Sequence, residues 1–171
     1  MKNILMIIPP ERFRDEELFV TKEVLERAGH KITIASTKTG LCPGRRGGFA
    51  VSERDIKDID ISIYDAVVFV GGGGSKLLFR NGNAITIASE MFKEGKVIAA
   101  ICLAPVILAN SGILKGIRAT VAGTESKTIE AAGAIYTGPG VTVDQNIVTG
   151  NAPKSSELFG QSIVKLLDYK Y

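Results

Sequence analysis

Lys96-Val97-Ile98-Ala99-Ala100-Ile101-Cys102-Leu103-Ala104-Pro105-Val106-Ile107-Leu108-Ala109-Asn110 decides the fold. Its first part, Lys96 to Ile101, reads as a buried β-strand, and Leu103 to Asn110 reads as an apolar helix that begins at once. Cys102 therefore sits on the hinge between them, at the carboxyl edge of a sheet. The following helix aims its free N–H groups and positive dipole end at the thiol, which favours the thiolate. Free cysteine is also among the most buried residue types, and a cysteine beside an apolar strand is usually a small hydrophobe, so position alone does not make it a nucleophile.

Outward from this stretch, apolar runs alternate with amphipathic ones. Ile4 to Ile8 precedes a helical pattern over Asp15 to Ala28; Ile32 to Ala35 follows; Ala66 to Val70 precedes a helical pattern over Ser75 to Lys93. Beyond Asn110 come a strand at Ala119 to Ala122, a short helix near Ser126 to Ala132, a strand at Ile147 to Thr149, and a helix from about Ser155 to Leu167 with Phe159, Ile163, Leu166 and Leu167 as its stripe. Alternation of this kind predicts a mostly parallel sheet covered on both faces, an α/β doubly wound sandwich of the flavodoxin-like kind. Thr39 to Ile63 is less regular, with Gly44 to Gly48 expected as a loop or hairpin tip and no domain boundary.

The chain has 171 residues, a length that suits one domain spanning 1–171. Apolar residues make up 45% and charged residues 23%, with a net charge of +3, an ordinary globular balance. No long basic run exists and tryptophan is absent, so a nucleic-acid partner is not expected. No apolar stretch approaches ~20 residues, and the first one runs into Pro9-Pro10, so neither a membrane span nor a signal peptide is expected. Cys42 and Cys102 lie far apart without a histidine cluster, which argues against a disulfide framework or a metal site and for a reducing cytoplasm. No cofactor motif is present. The tetraglycine Gly71 to Gly74 lacks the Gly-Lys-Ser/Thr closure of a phosphate loop, and Lys76 and Leu77 stand where a dinucleotide fingerprint needs glycine.

Three features fall just beyond strand ends: Cys102, the tetraglycine and Glu17. Backbone N–H groups of the glycine loop, with that of Leu103, are placed to form an oxyanion hole for a carbonyl attacked by the thiolate. Glu17 lies one turn before the stripe Val20, Val24 and Ala28, with Thr21 and Leu25 alongside. A sheet-facing carboxyl there is desolvated, its pKa rises, and it keeps a proton for a neighbouring thiolate. The alternative, a first-turn acid meeting the helix dipole as Asp15 and Glu16 do, stands beside it. His30, the sole histidine, follows the C-capping Gly29 and is expected on the surface, about 20 Å from the carboxyl edge.

The residues resemble the ThiJ/PfpI superfamily over nearly the whole chain. The resemblance rests on Ala99 to Pro105, on Tyr64-Asp65-Ala66-Val67-Val68-Phe69-Val70-Gly71-Gly72, and on Phe13 to Leu18 followed by Arg27-Ala28-Gly29-His30-Lys31-Ile32. It implies that Cys102 is the nucleophile or redox-sensitive thiol, that Glu17 hydrogen-bonds it, that Gly72 lines the oxyanion hole, and that the protein forms homo-dimers or larger homo-oligomers. Activities in that superfamily include peptidase or amidase action, conversion of methylglyoxal to lactate, deglycation and chaperone-like protection.

Departures from the superfamily pattern narrow this range. The place after the cysteine, histidine in the protease-like branch, holds Leu103; Thr120 to Glu125 holds no histidine; Val70 replaces a proline; and Ser75-Lys76 stands where an acid would complete an intersubunit triad. A small carbonyl or acyl substrate such as a glyoxal fits the reduced set, because hydrolysing a peptide requires protonating a poor amine leaving group. A redox-sensing or chaperone-like role for the thiol, and a peptidase completed by a neighbouring subunit, are the alternatives. A glutamine amidotransferase needs a late His-Glu pair where this chain has Asn151 to Lys154. A flavin carrier wants hydroxyls and amides at Pro9 to Arg14, and a response regulator a phosphorylatable Asp near Gly71.

Overall fold

The computed structural model describes residues 1–170, the last of them by its backbone alone. Eleven strands and five α-helices succeed one another as β1 (Asn3–Ile7), α1 (Asp15–Arg27), β2 (Lys31–Ser36), β3 (Gly40–Pro43), β4 (Phe49–Ser52), β5 (Arg54–Asp55), β6 (Ala66–Phe69), α2 (Gly82–Lys93), β7 (Val97–Ile101), α3 (Pro105–Asn110), β8 (Arg118–Ala119), α4 (Ser126–Ala131), β9 (Ile135–Tyr136), β10 (Val141–Asp144), β11 (Ile147–Gly150) and α5 (Ser156–Lys170). Seven strands form one sheet in the order β10-β11-β7-β6-β1-β2-β5, parallel except for the β10–β11 pair. This is the flavodoxin-like α/β sandwich expected from the alternation of elements.

The central strands are apolar throughout because both of their faces are covered. Leu5, Ile7, Val67, Phe69, Ile98 and Ala100 point to the side of α2, α3 and α4. Their alternates Ile4, Met6, Val68, Ala99 and Ile101 point to α1 and α5, where Leu18, Leu25, Phe159, Ile163 and Leu167 complete a second core. The chain leaves β1 for β2 on one side and returns to β6 on the other. A crevice therefore opens at the carboxyl ends of β1, β6 and β7, where sheets of this kind bind ligands.

Several expectations need correction. The helical pattern of Ser75 to Lys93 is two elements: a 3-10 turn over Gly73–Leu78, then α2, which starts where the Asn81 side chain accepts the Ala84 N–H. Ala119 to Ala122 is not a strand of the main sheet. Only Arg118–Ala119 is extended, paired with β9, because the Thr120 N–H bonds the Thr149 hydroxyl and the Ala122 N–H bonds the Cys102 carbonyl. The helix after Cys102 starts at Pro105, not Leu103. The α1 stripe is Leu18, Thr21, Val24 and Leu25 with Glu17, while Ala28 is exposed. Gly44 to Gly48 is indeed a hairpin tip, joining β3 to β4.

His30 is also not the surface residue expected. Its side chain is buried beside the start of β1, where Nδ1 accepts the Lys2 N–H at 3.1 Å, and burial lowers its pKa and keeps it neutral. It does lie at the amino ends of the strands, since Asn3 pairs with Lys31 in register.

Candidate active site

Cys102 has a φ of +65°, in the left-handed region that a side chain other than glycine's enters at a cost of roughly 1–3 kcal/mol. Two hydrogen bonds hold it there: its N–H donates to the Gly150 carbonyl at 2.9 Å, and its carbonyl accepts the Ala122 N–H at 2.7 Å. The tight turn lifts the half-buried sulfur out of the sheet edge rather than folding it into the core.

Glu17 meets it from α1. The carboxyl is fully buried, its Oε1 accepts the Gly71 N–H at 3.0 Å, its Oε2 has no hydrogen-bond partner among the described residues, and its charge acts on the Cys102 thiol. Of the two readings left open for this residue, the sheet-facing one holds. Burial pushes the carboxyl up to about 8, against the thiol, the Gly71 N–H and the Arg14 guanidinium, which pull it down. The thiol is pushed up to about 12, first by burial and then by the Glu17 carboxylate, while the Leu103 N–H and Arg14 favour its anion. A lowered thiol pKa was expected from a helix beginning at Leu103; with the sulfur largely desolvated and a carboxyl beside it, the shift runs the other way. The two groups titrate as a pair. Between about 8 and about 12 the carboxyl is ionised and the remaining proton stays on the sulfur.

The glycine loop is built around this pair. A Cβ on Gly71 would lie 2.6 Å from Glu17 Oε1 and 2.9 Å from the Cys102 Cβ, so glycine is what lets carboxyl and thiol meet. Gly72 has a φ of +106° and lies against the backbone of Arg12 to Arg14. Gly71→Ala is expected to push the Glu17 carboxyl off the thiol, lower the stability by about 1–3 kcal/mol and reduce turnover; thermal denaturation and a rate assay check it.

A cleft of about 310 Å3 opens over the sulfur, lined by Gly72, Leu103, Arg14, Arg45 and Lys76 among others. Cys102, Glu17, Gly72 and Leu103 are thus brought together, and His30 is not. Sequence reasoning named Gly71 only as part of the oxyanion loop and not as the group that holds the carboxyl, and it missed Arg14, whose Nη2 pairs with Glu16 at 3.0 Å and whose charge acts on both titrating groups. Arg14 stands three residues before Glu17, at the N-cap of α1, and that spacing was the available signal. It also missed Arg45, which the hairpin tip brings in through its N–H to the Phe13 carbonyl at 2.9 Å.

A strained cysteine elbow at the switch point of a doubly wound sheet, with a buried carboxyl at its sulfur, defines a class of cysteine-centred α/β proteins. The chain belongs to the DJ-1/PfpI family, whose model matches residues 2–166. It is 43% identical over 173 residues to an uncharacterized protein of Methanocaldococcus jannaschii, an alignment covering 98% of this chain and 84% of that one. It is 31% identical to a deglycase of Thermococcus kodakarensis, covering 95% and 98%, and 27% identical to a glutathione-independent glyoxalase of Caenorhabditis elegans, covering 98% and 89%. Among solved structures, a ThiJ/PfpI domain protein from Brachyspira murdochii superposes with a TM-score of 0.95 at 34% identity, covering 98% of this chain and 96% of that one.

Proposed function

We propose that this protein is an enzyme that converts small reactive carbonyl compounds, with Cys102 as nucleophile, Glu17 as proton carrier and the Gly72 and Leu103 N–H groups as oxyanion donors. The observation that carries the reading is the buried Glu17 carboxyl against a thiol that opens into a cleft. Relatives named deglycase and glyoxalase support it.

The chemistry of a 2-oxoaldehyde fits these groups. Cys102 Sγ adds to the aldehyde carbon, the carbonyl electron pair moves to oxygen, and the thiol proton reaches that oxygen through the carboxyl, giving a hemithioacetal. Glu17 then takes the C1 proton and the C2 oxygen is protonated, giving an enediol. Protonation at C2 and loss of the C1 hydroxyl proton give a thioester, which water cleaves to a 2-hydroxy acid while the thiol is restored. The sum is one water added, with C1 oxidised and C2 reduced. A first proton loss near pH 8 suits a group that must both give and take a proton near neutrality.

The peptidase alternative has less support, because the cleft lining includes no histidine to protonate an amine. A sensor that depends on a readily formed thiolate is disfavoured by the raised thiol pKa. The test is methylglyoxal consumption followed by proton NMR. Lactate forming faster than in buffer is the expected result, and consumption at the buffer rate rejects the reading.

We also propose that the protein works as a homo-oligomer through the hairpin of β3 and β4. Leu41, Pro43, Phe49 and Val51 share its outer face by register and are all exposed, while Cys42 and Ala50 on the other face are buried. An apolar strip of this kind on a charged surface is a docking face. Leu41→Asp with Val51→Asp is expected to lower the mass measured by light scattering; an unchanged mass, or a wild type that is already a monomer, rejects this interface.

A further inference from the structure

Every charged side chain lining the Cys102 cleft is cationic. Arg14, Arg45 and Lys76 reach it from three separate segments: the loop before α1, the β3–β4 hairpin tip and the 3-10 turn after the glycine loop. Arg12 joins them at the rim, since its Nη1 and that of Arg45 each lie 3.9 Å from where a Cβ of Gly73 would stand. Arg14 is neutralised by Glu16 and Arg12 is beside Glu11 at 3.7 Å. Arg45 and Lys76, by contrast, have no ion pair among those of the described residues. Glu17, the acid closest to the sulfur, is fully buried and bonded to Gly71, so it does not offset them at the mouth. A neutral substrate such as methylglyoxal has no use for two unpaired cations, and a concave site of one sign concentrates ligands of the other.

We infer that the carbonyl substrate of this cleft carries an anionic group, a carboxylate or a phosphate ester, seated on Arg45 and Lys76 while its carbonyl carbon meets Cys102. This rests on the carbonyl-converting reading of the same site. The guanidinium of Arg45 offers a fork of donors that matches either oxyanion, and the Lys76 ammonium adds a point charge.

Two measurements test the inference and separate it from the reading beneath it. The first compares alkylation of Cys102 by iodoacetate and by iodoacetamide, followed by peptide mass; in both, sulfur forms the S–C bond, iodide leaves and the thiol proton passes to buffer. Cys42 is fully buried, so Cys102 carries the signal. The anionic reagent is expected to react roughly tenfold faster at low ionic strength, the advantage fading with salt and lost in Arg45→Gln/Lys76→Gln. Iodoacetate no faster than iodoacetamide in the wild type overturns the inference. The second compares kcat/KM for methylglyoxal with that for 4,5-dioxopentanoate, a 2-oxoaldehyde bearing a carboxylate, and for the 2-oxoaldehyde phosphate ester of the three-carbon series. The larger ratio identifies the anionic group, and both ratios at or below one overturn the inference. A reagent preference without turnover of any 2-oxoaldehyde defeats the enzymatic reading and leaves the anion site standing. Methylglyoxal turnover without a preference does the reverse.

Discussion

Cys102→Ser is expected to lower kcat/KM for methylglyoxal by about a thousandfold or more while moving the folding stability by no more than about 1 kcal/mol. The two halves have separate causes. Serine differs by one atom, fits the same elbow and keeps both backbone hydrogen bonds that hold φ at +65°. The chemistry does not carry over, because a carboxyl that loses its proton near pH 8 is a still weaker base toward an alcohol than toward a thiol pushed up to about 12, and an alcohol is the poorer nucleophile. Steady-state rates on both proteins, with thermal denaturation alongside, check it. Equal rates would mean that the sulfur does not do the chemistry.

The second large effect concerns stability. Glu17 has a folded pKa of about 8 against 4.5 for an ordinary glutamate, so between those values the folded chain binds a proton that the unfolded chain has released. Stability is therefore complete below about pH 4.5 and is lost as pH rises to 8. At about 1.4 kcal/mol per unit, the loss over the shift from 4.5 to about 8 amounts to roughly 5 kcal/mol. Glu17→Gln removes the titration. The variant is expected to be more stable than the wild type at pH 8, with the gain shrinking toward pH 5, and to convert carbonyl compounds poorly. Denaturant melts across that range measure it, and a gain that does not depend on pH would show that the buried carboxyl is not the titrating group. The buried carboxyl thus costs stability as pH rises, a cost that the proposed proton-carrying role would explain.

The central sheet was legible because β1, β6 and β7 are continuous apolar runs, and buried parallel strands leave no other pattern. Cys102, Glu17 and the glycine loop were legible for the same reason: once the strand ends are known, so is the edge they share. The segment beyond α3 was harder to read. Thr120 and Ala122 look like strand residues, but their N–H groups go to a threonine hydroxyl and to the elbow carbonyl, partners that no local pattern announces. Arg45 was hidden because it comes from a hairpin far away in sequence. The direction of the thiol shift was misjudged because it depends first on burial and then on the Glu17 carboxyl beside the sulfur, both tertiary facts.

Asp15 grips the hairpin tip, its two carboxylate oxygens accepting the Arg46 N–H at 2.8 Å and the Gly48 N–H at 2.7 Å, so the five residues from Gly44 to Gly48 hang on α1 like a cassette. The Cys102–Glu17 pair belongs to the sheet edge, and the cassette adds only Arg45 to the lining of its cleft. Exchanging the tip for one of another length or sign, with Asp15 and its two backbone anchors kept, would change the charge at the mouth of the cleft without disturbing Cys102 or Glu17.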